Sequence, residues 1–382
     1  MNDFQKSFEE VQALIKFEDY TLAVKRIIDF TLDTQNLSFY KKTNAFLDWA
    51  DANERNSVFA DQITSLLTEL YEYLSVIPLK VKEKIIEAQN ITKKHSSLFS
   101  LGPINLEISE GDIIGLVGEN GNGKTTLLRL LCGELHTSSG NINYNFSYKD
   151  FYELRTKLVY IPQRTETWRG SMYENLVFTA ASYGYSPEEN IQVVELIIAR
   201  LGLRKFRSHA WKNLSSGYKM RFELARMLLR KPRILLIDEP LANLDILAQQ
   251  TVLEDFRAIA KSPFRPIGII LSSQQLYEVE KTSDQVIFLK QGLQRNLHEK
   301  VADEPEEKQL VIEFESEWTQ SRLNDVLKQY DLLSLQFNGG TYIATFAGHK
   351  TIHDFMILVT NNSIPLNYLR NISNSTRRFF VS

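Results

Sequence analysis

The stretch Gly118-Glu-Asn-Gly-Asn-Gly-Lys-Thr-Thr126 decides the fold of the central part of this 382-residue chain. It follows the short apolar run Ile113–Val117, which is typical of a buried strand, and it leads into a predicted helix, Thr126–Leu131. A strand, a glycine-rich turn and a helix in this order form a loop that binds phosphate. The glycines let backbone N–H groups turn inward, and the helix N-terminus adds the positive end of its dipole.

Each residue of this loop is a candidate contact to a nucleotide. The lysine ammonium of Lys124 is expected to reach the β- and γ-phosphates, and the Thr125 hydroxyl is expected to coordinate Mg²⁺. The predicted nucleotide-binding residues of the loop are Gly118, Glu119, Asn120, Gly121, Asn122, Gly123, Lys124, Thr125 and Thr126.

Two adjacent carboxylates follow a second buried strand, in Arg233-Ile-Leu-Leu-Ile-Asp238-Glu239. Asp238 at the strand end is predicted to hold Mg²⁺, and Glu239 is predicted to polarise the attacking water. An apolar run that ends in Asp-Glu is weak evidence by itself. Downstream of a phosphate-binding loop it indicates nucleotide hydrolysis.

The layout of the chain predicts an α/β fold of the P-loop NTPase class, with a mixed sheet, a helical subdomain and flanking domains on both sides. Further buried strands are predicted at Leu158–Ile161, Ile234–Ile237 and Ile267–Leu271. Apolar residues recur at helical spacing through residues 1–80, which predicts about four short helices. We expect domains at 1–81 (all-helical), 82–298 (the nucleotide-binding cassette) and 306–382, after a charged linker at 301–308.

The last domain is predicted to have the order βαββαβ, which is ferredoxin-like and of the α+β class. The predicted elements are strand Leu310–Phe314, helix Gln320–Tyr330, strands Leu333–Gln336 and Tyr342–Phe346 around a turn at Gly339-Gly340, helix Thr351–Val359 and strand Leu366–Ile372.

The pentapeptide Leu214-Ser-Ser-Gly-Tyr218 precedes a predicted helix, Lys219–Arg230. Alone it would more often be an ordinary helix cap. Together with the phosphate-binding loop and the carboxylate pair, it makes residues 84–295 resemble an ATP-binding cassette (ABC) domain. In that family this signature reaches across a head-to-tail dimer to the γ-phosphate, which implies nucleotide contacts for Ser215 and Gly217. Ser216 and Tyr218 stand where Gly and Gln are commoner.

The resemblance implies roles for three further positions. Gln163 falls at the glutamine loop, where it would touch Mg²⁺ and take part in catalysis, and Asp245 falls at the dimer seam. Gln274 occupies the switch position, where the family usually has histidine. An amide can donate a hydrogen bond to the γ-phosphate, but it carries neither a proton nor a charge. The alternative for Gln274 is an ordinary polar helix start.

An aromatic side chain that stacks on adenine is also expected upstream of the phosphate-binding loop. His95 aligns best, with Phe99 as the second choice, and a surface loop histidine is the alternative for His95. The segment Arg164-Thr-Glu-Thr-Trp168-Arg169 after Gln163 would suit a docking surface for a membrane partner, or a local salt-bridged loop.

The composition of the chain narrows the kinds of binding partner and the compartment that we expect for this protein. Lys and Arg number 44 against 47 Asp and Glu, so nothing suggests a protein held on nucleic acid by phosphate contacts. The single cysteine, Cys132, fits a reducing compartment. No apolar run approaches the roughly 20 residues that span a bilayer, and no signal-peptide pattern is seen at the N-terminus. We expect a cytoplasmic protein without direct membrane insertion, which is peripheral on the inner face of the plasma membrane through a partner.

The segment Met172–Gly184, the Ser-Ser-Gly signature and the aromatic-rich Ser375–Val381 resemble ABC exporters whose ATPase is a separate chain. This resemblance implies an ATPase that uses ATP and Mg²⁺, pairs as a homodimer or heterodimer of cassettes, and powers a separate polytopic membrane subunit. Two alternatives remain. One is a soluble ABC-type ATPase that acts on ribosomes or DNA-repair factors. The other is a regulatory, weakly hydrolysing cassette, which Gln274 favours and Glu239 disfavours.

Overall fold

The computed structural model describes residues 3–94, 99–274, 276–295, 309–338 and 340–373. Its first four elements are helices, as the apolar periodicity predicts: α1 (Asp3–Lys16), α2 (Tyr20–Asp33), α3 (Leu37–Ala52) and α4 (Ser57–Ser75). Asp19, Asn36 and Asn56 cap the last three by accepting hydrogen bonds from backbone N–H groups two or three residues ahead. The predicted all-helical N-terminal segment is confirmed.

The cassette contains two sheets. A three-stranded antiparallel sheet has the order β2-β1-β4, with strands β1 (Lys84–Lys94), β2 (Ser100–Ser109) and β4 (Ser139–Tyr144). A six-stranded sheet has the order β5-β6-β7-β3-β8-β9. Its strands are β3 (Ile113–Val117), β5 (Leu158–Ile161), β6 (Ile234–Ile237), β7 (Gly268–Ser273), β8 (Gln285–Lys290) and β9 (Leu293–Arg295).

The neighbours β5-β6, β6-β7 and β7-β3 are parallel, and all five residues of β3 are buried. The carboxyl ends of β3, β6 and β7 therefore meet at one edge, where a ligand site is expected in an α/β sheet. The predicted α/β class is confirmed. The predicted end of one strand was wrong, because β7 continues to Ser273 and does not end at Leu271.

Helices surround these sheets. They are α5 (Lys124–Leu131), α6 (Phe151–Lys157), α7 (Met172–Ser182), α8 (Pro187–Arg200), α9 (Ser216–Leu228), α10 (Ile246–Ala260) and α11 (Leu276–Thr282). Two were predicted to start too late. Helix α5 begins at Lys124 because Gly123, with φ of 96°, takes the N-cap position. Helix α9 begins at Ser216 because the Ser215 side chain caps it by accepting a hydrogen bond from the Tyr218 N–H.

The C-terminal elements are β10 (Leu310–Glu315), α12 (Gln320–Leu327), β11 (Leu332–Asn338), β12 (Thr341–Phe346), α13 (Ile352–Asn361) and β13 (Tyr368–Asn371). The sheet order is β11-β12-β10-β13 and all neighbours are antiparallel, which is the ferredoxin-like arrangement. The last turn of the predicted helix to Tyr330 is a 3₁₀ turn, Lys328–Tyr330. The predicted linker at 301–308 lies outside the described residues.

The chain forms two compact units. The first contains residues 1–274 with two short later segments, and the second contains the C-terminal sheet and its helices. The N-terminal helices thus belong to the same unit as most of the cassette, while the domain boundaries near 81 and 300 stay predictions. In the part of the chain that the structure describes, no helix is both long enough and apolar enough to cross a bilayer.

Candidate nucleotide-binding site

The glycine-rich loop leaves the end of β3 and turns directly into α5. Gly121 and Gly123 adopt φ of 84° and 96°, a region that glycine enters without strain. A side chain at Gly118 would place its Cβ 2.5 Å from the Leu289 carbonyl oxygen, so only glycine fits there. Lys124 begins the helix, is buried, and donates from Nζ to the Gly118 carbonyl oxygen at 2.6 Å.

Asp238, at the end of β6, is the centre of a hydrogen-bond cluster. Its Oδ2 accepts from the Thr125 hydroxyl at 2.6 Å and from the Tyr160 hydroxyl at 3.3 Å, while its Oδ1 accepts from the Ser272 hydroxyl at 2.6 Å. Burial, and then the charge of Asp238, raise the pKa of Tyr160, which keeps this phenol a donor. The carboxylate is 3% exposed, so these donors replace water.

Glu239 lies next to this cluster in a left-handed backbone conformation, with φ of 50°. Its Oε1 is 3.1 Å from Lys124 Nζ. Its backbone N–H donates to Ser272 Oγ at 2.9 Å, and its Oε2 accepts from the Gln274 backbone N–H at 3.3 Å. The structure thus brings together Lys124, Asp238, Glu239 and the end of β7.

The cluster fits a magnesium-bound nucleotide polyphosphate. The Thr125 hydroxyl and the Asp238 carboxylate are the oxygen ligands that Mg²⁺ prefers, and Thr125 is exposed at the mouth of the loop. Across the described residues, no group of three or more His, Cys, Asp or Glu side chains could hold a metal ion. A Mg²⁺ that arrives with substrate phosphates needs only one or two protein ligands.

Gln163 is exposed, two positions beyond β5. Ser215 and Gly217 begin α9, where Ser216 Oγ donates to the Asn243 carbonyl oxygen at 2.8 Å. Asn122 Oδ1 accepts from the Gln291 N–H at 2.9 Å, and so stabilises the loop by contacting the protein.

The remaining predicted contacts are placed as follows. Glu119 and Asn120 are exposed beside Gly121, and Thr126 is half-buried in α5. His95 lies outside the described residues. Its alternative, Phe99, has its ring Cζ 3.2 Å from where a Cβ on Gly123 would be, and is therefore next to the phosphate-binding loop.

Two features were missed by sequence reasoning. The Ser272 hydroxyl contacts the Asp238 carboxylate and the backbone N–H of Glu239, but a serine near a strand end carries no signal of its own. Trp168 was interpreted as part of an exposed docking surface or salt-bridged loop, and the docking interpretation is wrong for this side chain. The indole is 8% exposed, stacks on Trp211 at 5.0 Å, and donates from Nε1 to Glu223 at 2.8 Å.

Comparison with known proteins places this site in a family. A family model described as ABC transporter matches residues 101–242. A spermidine/putrescine import ATP-binding protein of Spiroplasma citri is 32% identical over 56% of this chain and 61% of its own length. The ATP-binding protein of a lipopolysaccharide export system of Acidithiobacillus ferridurans is 27% identical over 60% of this chain and 97% of its own length.

Among solved structures, cbiO1 of Clostridium perfringens, part of an ABC transporter complex, aligns with a TM-score of 0.52 and 26% identity. The alignment covers 56% of this chain and 88% of that one. The chain carries an ATP-binding cassette of the ABC transporter family, in agreement with the resemblance of its motifs. It spans only 61% of the length of the Spiroplasma relative.

Proposed function

We propose that this chain is the ATP-hydrolysing subunit of an ABC transporter and that it powers a separate membrane-spanning partner. The observation that carries the proposal is the convergence of Lys124, Thr125, Asp238 and Glu239 within contacts of 2.6 to 3.1 Å. A phosphate-binding lysine, a magnesium-binding pair and a carboxylate next to them are the parts that ATP hydrolysis requires.

Each part has a defined task with Mg-ATP as substrate. Lys124 and the backbone N–H groups of its loop neutralise the phosphates, and Thr125 with Asp238 holds the metal that the nucleotide brings. Gln163, which follows β5, would be a further ligand to this metal. Glu239 accepts the proton of the attacking water, or orients that water. Ser215 and Gly217 belong to the signature that contacts ATP bound to a second cassette, in a homodimer or heterodimer.

Export is the direction we propose. Supporting it are the resemblance of Met172–Gly184 to exporter cassettes and the similarity to a lipopolysaccharide export protein. The similarity to a spermidine/putrescine import protein favours the opposite direction. We also propose three functional segments, 1–81, 82–298 and 306–382, and a location at the inner face of the plasma membrane through the partner.

Hydrolysis is tested by phosphate release from Mg-ATP. Replacing Glu239 by Gln keeps the size of the side chain and removes its basicity, so turnover should fall by about 10²-fold or more while ATP still binds. Lys124→Ala should lose ATP binding itself. Equal phosphate release by the wild type and Glu239→Gln would remove Glu239 from the catalytic role.

Dimerisation and partner are tested separately. The Glu239→Gln protein should double its mass in size-exclusion chromatography with light scattering when ATP is added, whereas Lys124→Ala should not. Affinity purification from detergent-solubilised host membranes should recover a polytopic membrane protein in fixed ratio. Recovery of ribosomal or DNA-repair proteins without a membrane chain would favour a soluble ABC-type ATPase instead.

A further inference from the structure

We propose that Ser272 of β7, and not the side chain of Gln274 just after this strand, positions both carboxylates for hydrolysis. The proposal rests on the ATPase function above and assigns a role within the same site. The motif pattern does not single out this serine.

Ser272 is fully buried and its register is fixed. It lies on β7 opposite Leu116 of β3 and is 0% exposed. Its hydroxyl donates to Asp238 Oδ1 at 2.6 Å and accepts from the Glu239 N–H at 2.9 Å. A carboxylate can only accept and an amide N–H can only donate, so the hydroxyl proton must point at Asp238.

These two hydrogen bonds orient two different groups. Holding Oδ1 of Asp238 turns Oδ2 toward the Thr125 hydroxyl, 2.6 Å away, which is the pair expected to bind the metal. Holding the Glu239 N–H stabilises the left-handed conformation of that residue, a conformation that is costly outside glycine. From this conformation the Glu239 carboxylate reaches Lys124 Nζ at 3.1 Å.

Gln274 contacts Glu239 through its backbone, and the Gln274 side chain takes no part in this contact. Its backbone N–H donates to Glu239 Oε2 at 3.3 Å, and the residue is exposed. Any residue except proline would supply this N–H. The hydroxyl at 272 is different, because alanine there provides neither the donor for Asp238 nor the acceptor for the Glu239 N–H. The end of β7 thus orients Glu239 in a chain that has no histidine at position 274.

The experiment compares Ser272→Ala with Gln274→Ala in the whole 382-residue chain, by steady-state phosphate release at varied Mg-ATP and varied free Mg²⁺. We expect Ser272→Ala to lower kcat by roughly 10-fold to 10²-fold, since misplacing a reacting group costs about that much. The KM for Mg-ATP should stay within about twofold, because the phosphate-binding loop is intact, and the half-saturating Mg²⁺ concentration should rise. Gln274→Ala should lower kcat by a smaller factor than Ser272→Ala does.

Ser272→Cys serves as the conservative variant and also covers a failure of Ser272→Ala to fold. A thiol is a weak donor and acceptor of similar shape, so its kcat should lie between those of serine and alanine. A larger loss in Gln274→Ala than in either Ser272 variant would overturn the proposal, as would a loss confined to KM.

The final control separates positioning from general damage. Because Glu239 is one of the two groups that Ser272 is proposed to position, adding Ser272→Ala to Glu239→Gln at saturating Mg²⁺ should lower the residual single-turnover rate by a smaller factor than it lowers the wild-type rate. If Ser272→Ala lowered the rate by the same factor in the wild type and in Glu239→Gln, its effect would be structural and independent of Glu239. That result would overturn the proposal. If Glu239→Gln alone leaves turnover unchanged, the assignment of Glu239 fails instead, which is a distinct result.

Discussion

At the scale of single residues, Thr125 is the most exposed residue whose side chain contacts Asp238. Thr125→Val keeps the shape of the side chain and removes the oxygen expected to contact the metal. We predict that the half-saturating Mg²⁺ concentration for ATP hydrolysis rises by about 10-fold, since one charge-assisted contact is worth about 1.5–3 kcal/mol. A Mg²⁺ titration of phosphate release at fixed ATP measures this shift.

Thr125→Ser is the matched variant because it retains the hydroxyl and loses only a methyl group. Its Mg²⁺ dependence should equal that of the wild type. Identical titration curves for the Val and Ser variants would show that Thr125 does not contact the metal, whatever their maximal rates.

At the scale of secondary-structure elements, Trp168 joins the segment after Gln163 to helix α9. Its indole N–H donates to Glu223, a residue of α9 with 0% exposure, and its ring stacks on Trp211 with an interplanar angle of 17°. Arg226 pairs with the other oxygen of Glu223 at 2.8 Å. Burial raises the pKa of Glu223, and the charge of Arg226 and the hydrogen bonds from Trp168 and Arg226 oppose this effect.

Trp168→Phe should therefore destabilise the protein more than Trp211→Phe does. The two substitutions remove the same atoms, but only the first leaves Glu223 Oε1 without its donor, which costs about 1–3 kcal/mol. Urea unfolding followed by far-UV circular dichroism compares the variants. If Trp211→Phe were as destabilising as Trp168→Phe, packing alone would account for the loss.

The same elements show what the sequence could and could not predict. Strands such as Ile113–Val117 and Ile234–Ile237 were predicted with their observed bounds, because buried parallel strands are short apolar runs. Helices α5 and α9 start earlier than predicted, because their N-caps, Gly123 and Ser215, decide the first turn. Periodicity does not detect a cap.

The missed site residues depend on contacts between distant parts of the chain. Ser272 reaches Asp238 only because β6 and β7 are parallel neighbours in one particular register. Trp168 is buried only because Trp211, much later in the sequence, supplies a stacking partner. The local composition of this segment, an aromatic residue among arginines, is as typical of an exposed loop as of a buried contact.

At the scale of the larger compact unit, the N-terminal helices attach to the cassette through buried charges. Arg200 of α8 donates to Asp29 of α2 and to Asp255 of α10, each at 2.6 Å. Lys25 of α2 also lies 3.3 Å from Asp255. Desolvation offsets much of the attraction within buried ion pairs of this kind, whereas the loss of one partner would leave a buried charge unpaired. Helix α2 is thereby held against both α8 and α10.

Asp33, the last residue of α2, leads us to predict that stability depends on pH. Its carboxylate accepts from Arg265 Nε at 3.0 Å and from the Ser262 hydroxyl. Burial nonetheless raises the pKa of Asp33 from 3.8 to about 6, against the opposing effect of Arg265 and with a smaller contribution from Asp29. The folded state therefore binds a proton between about pH 4 and pH 6 that the unfolded state does not bind.

The difference in proton binding between the folded and unfolded states sets the direction in which stability changes with pH. This group should make the protein more stable as pH falls from 7 to 5, by about 1 kcal/mol, because the folded state takes up the proton first. Asp33→Asn cannot titrate and serves as the control. Urea unfolding measures the free energy of unfolding of both proteins. The value for the wild type minus the value for Asp33→Asn should increase as the pH is lowered from 7 to 5. If the difference stayed constant, Asp33 would keep its charge throughout, and Arg265 would outweigh the cost of burying it.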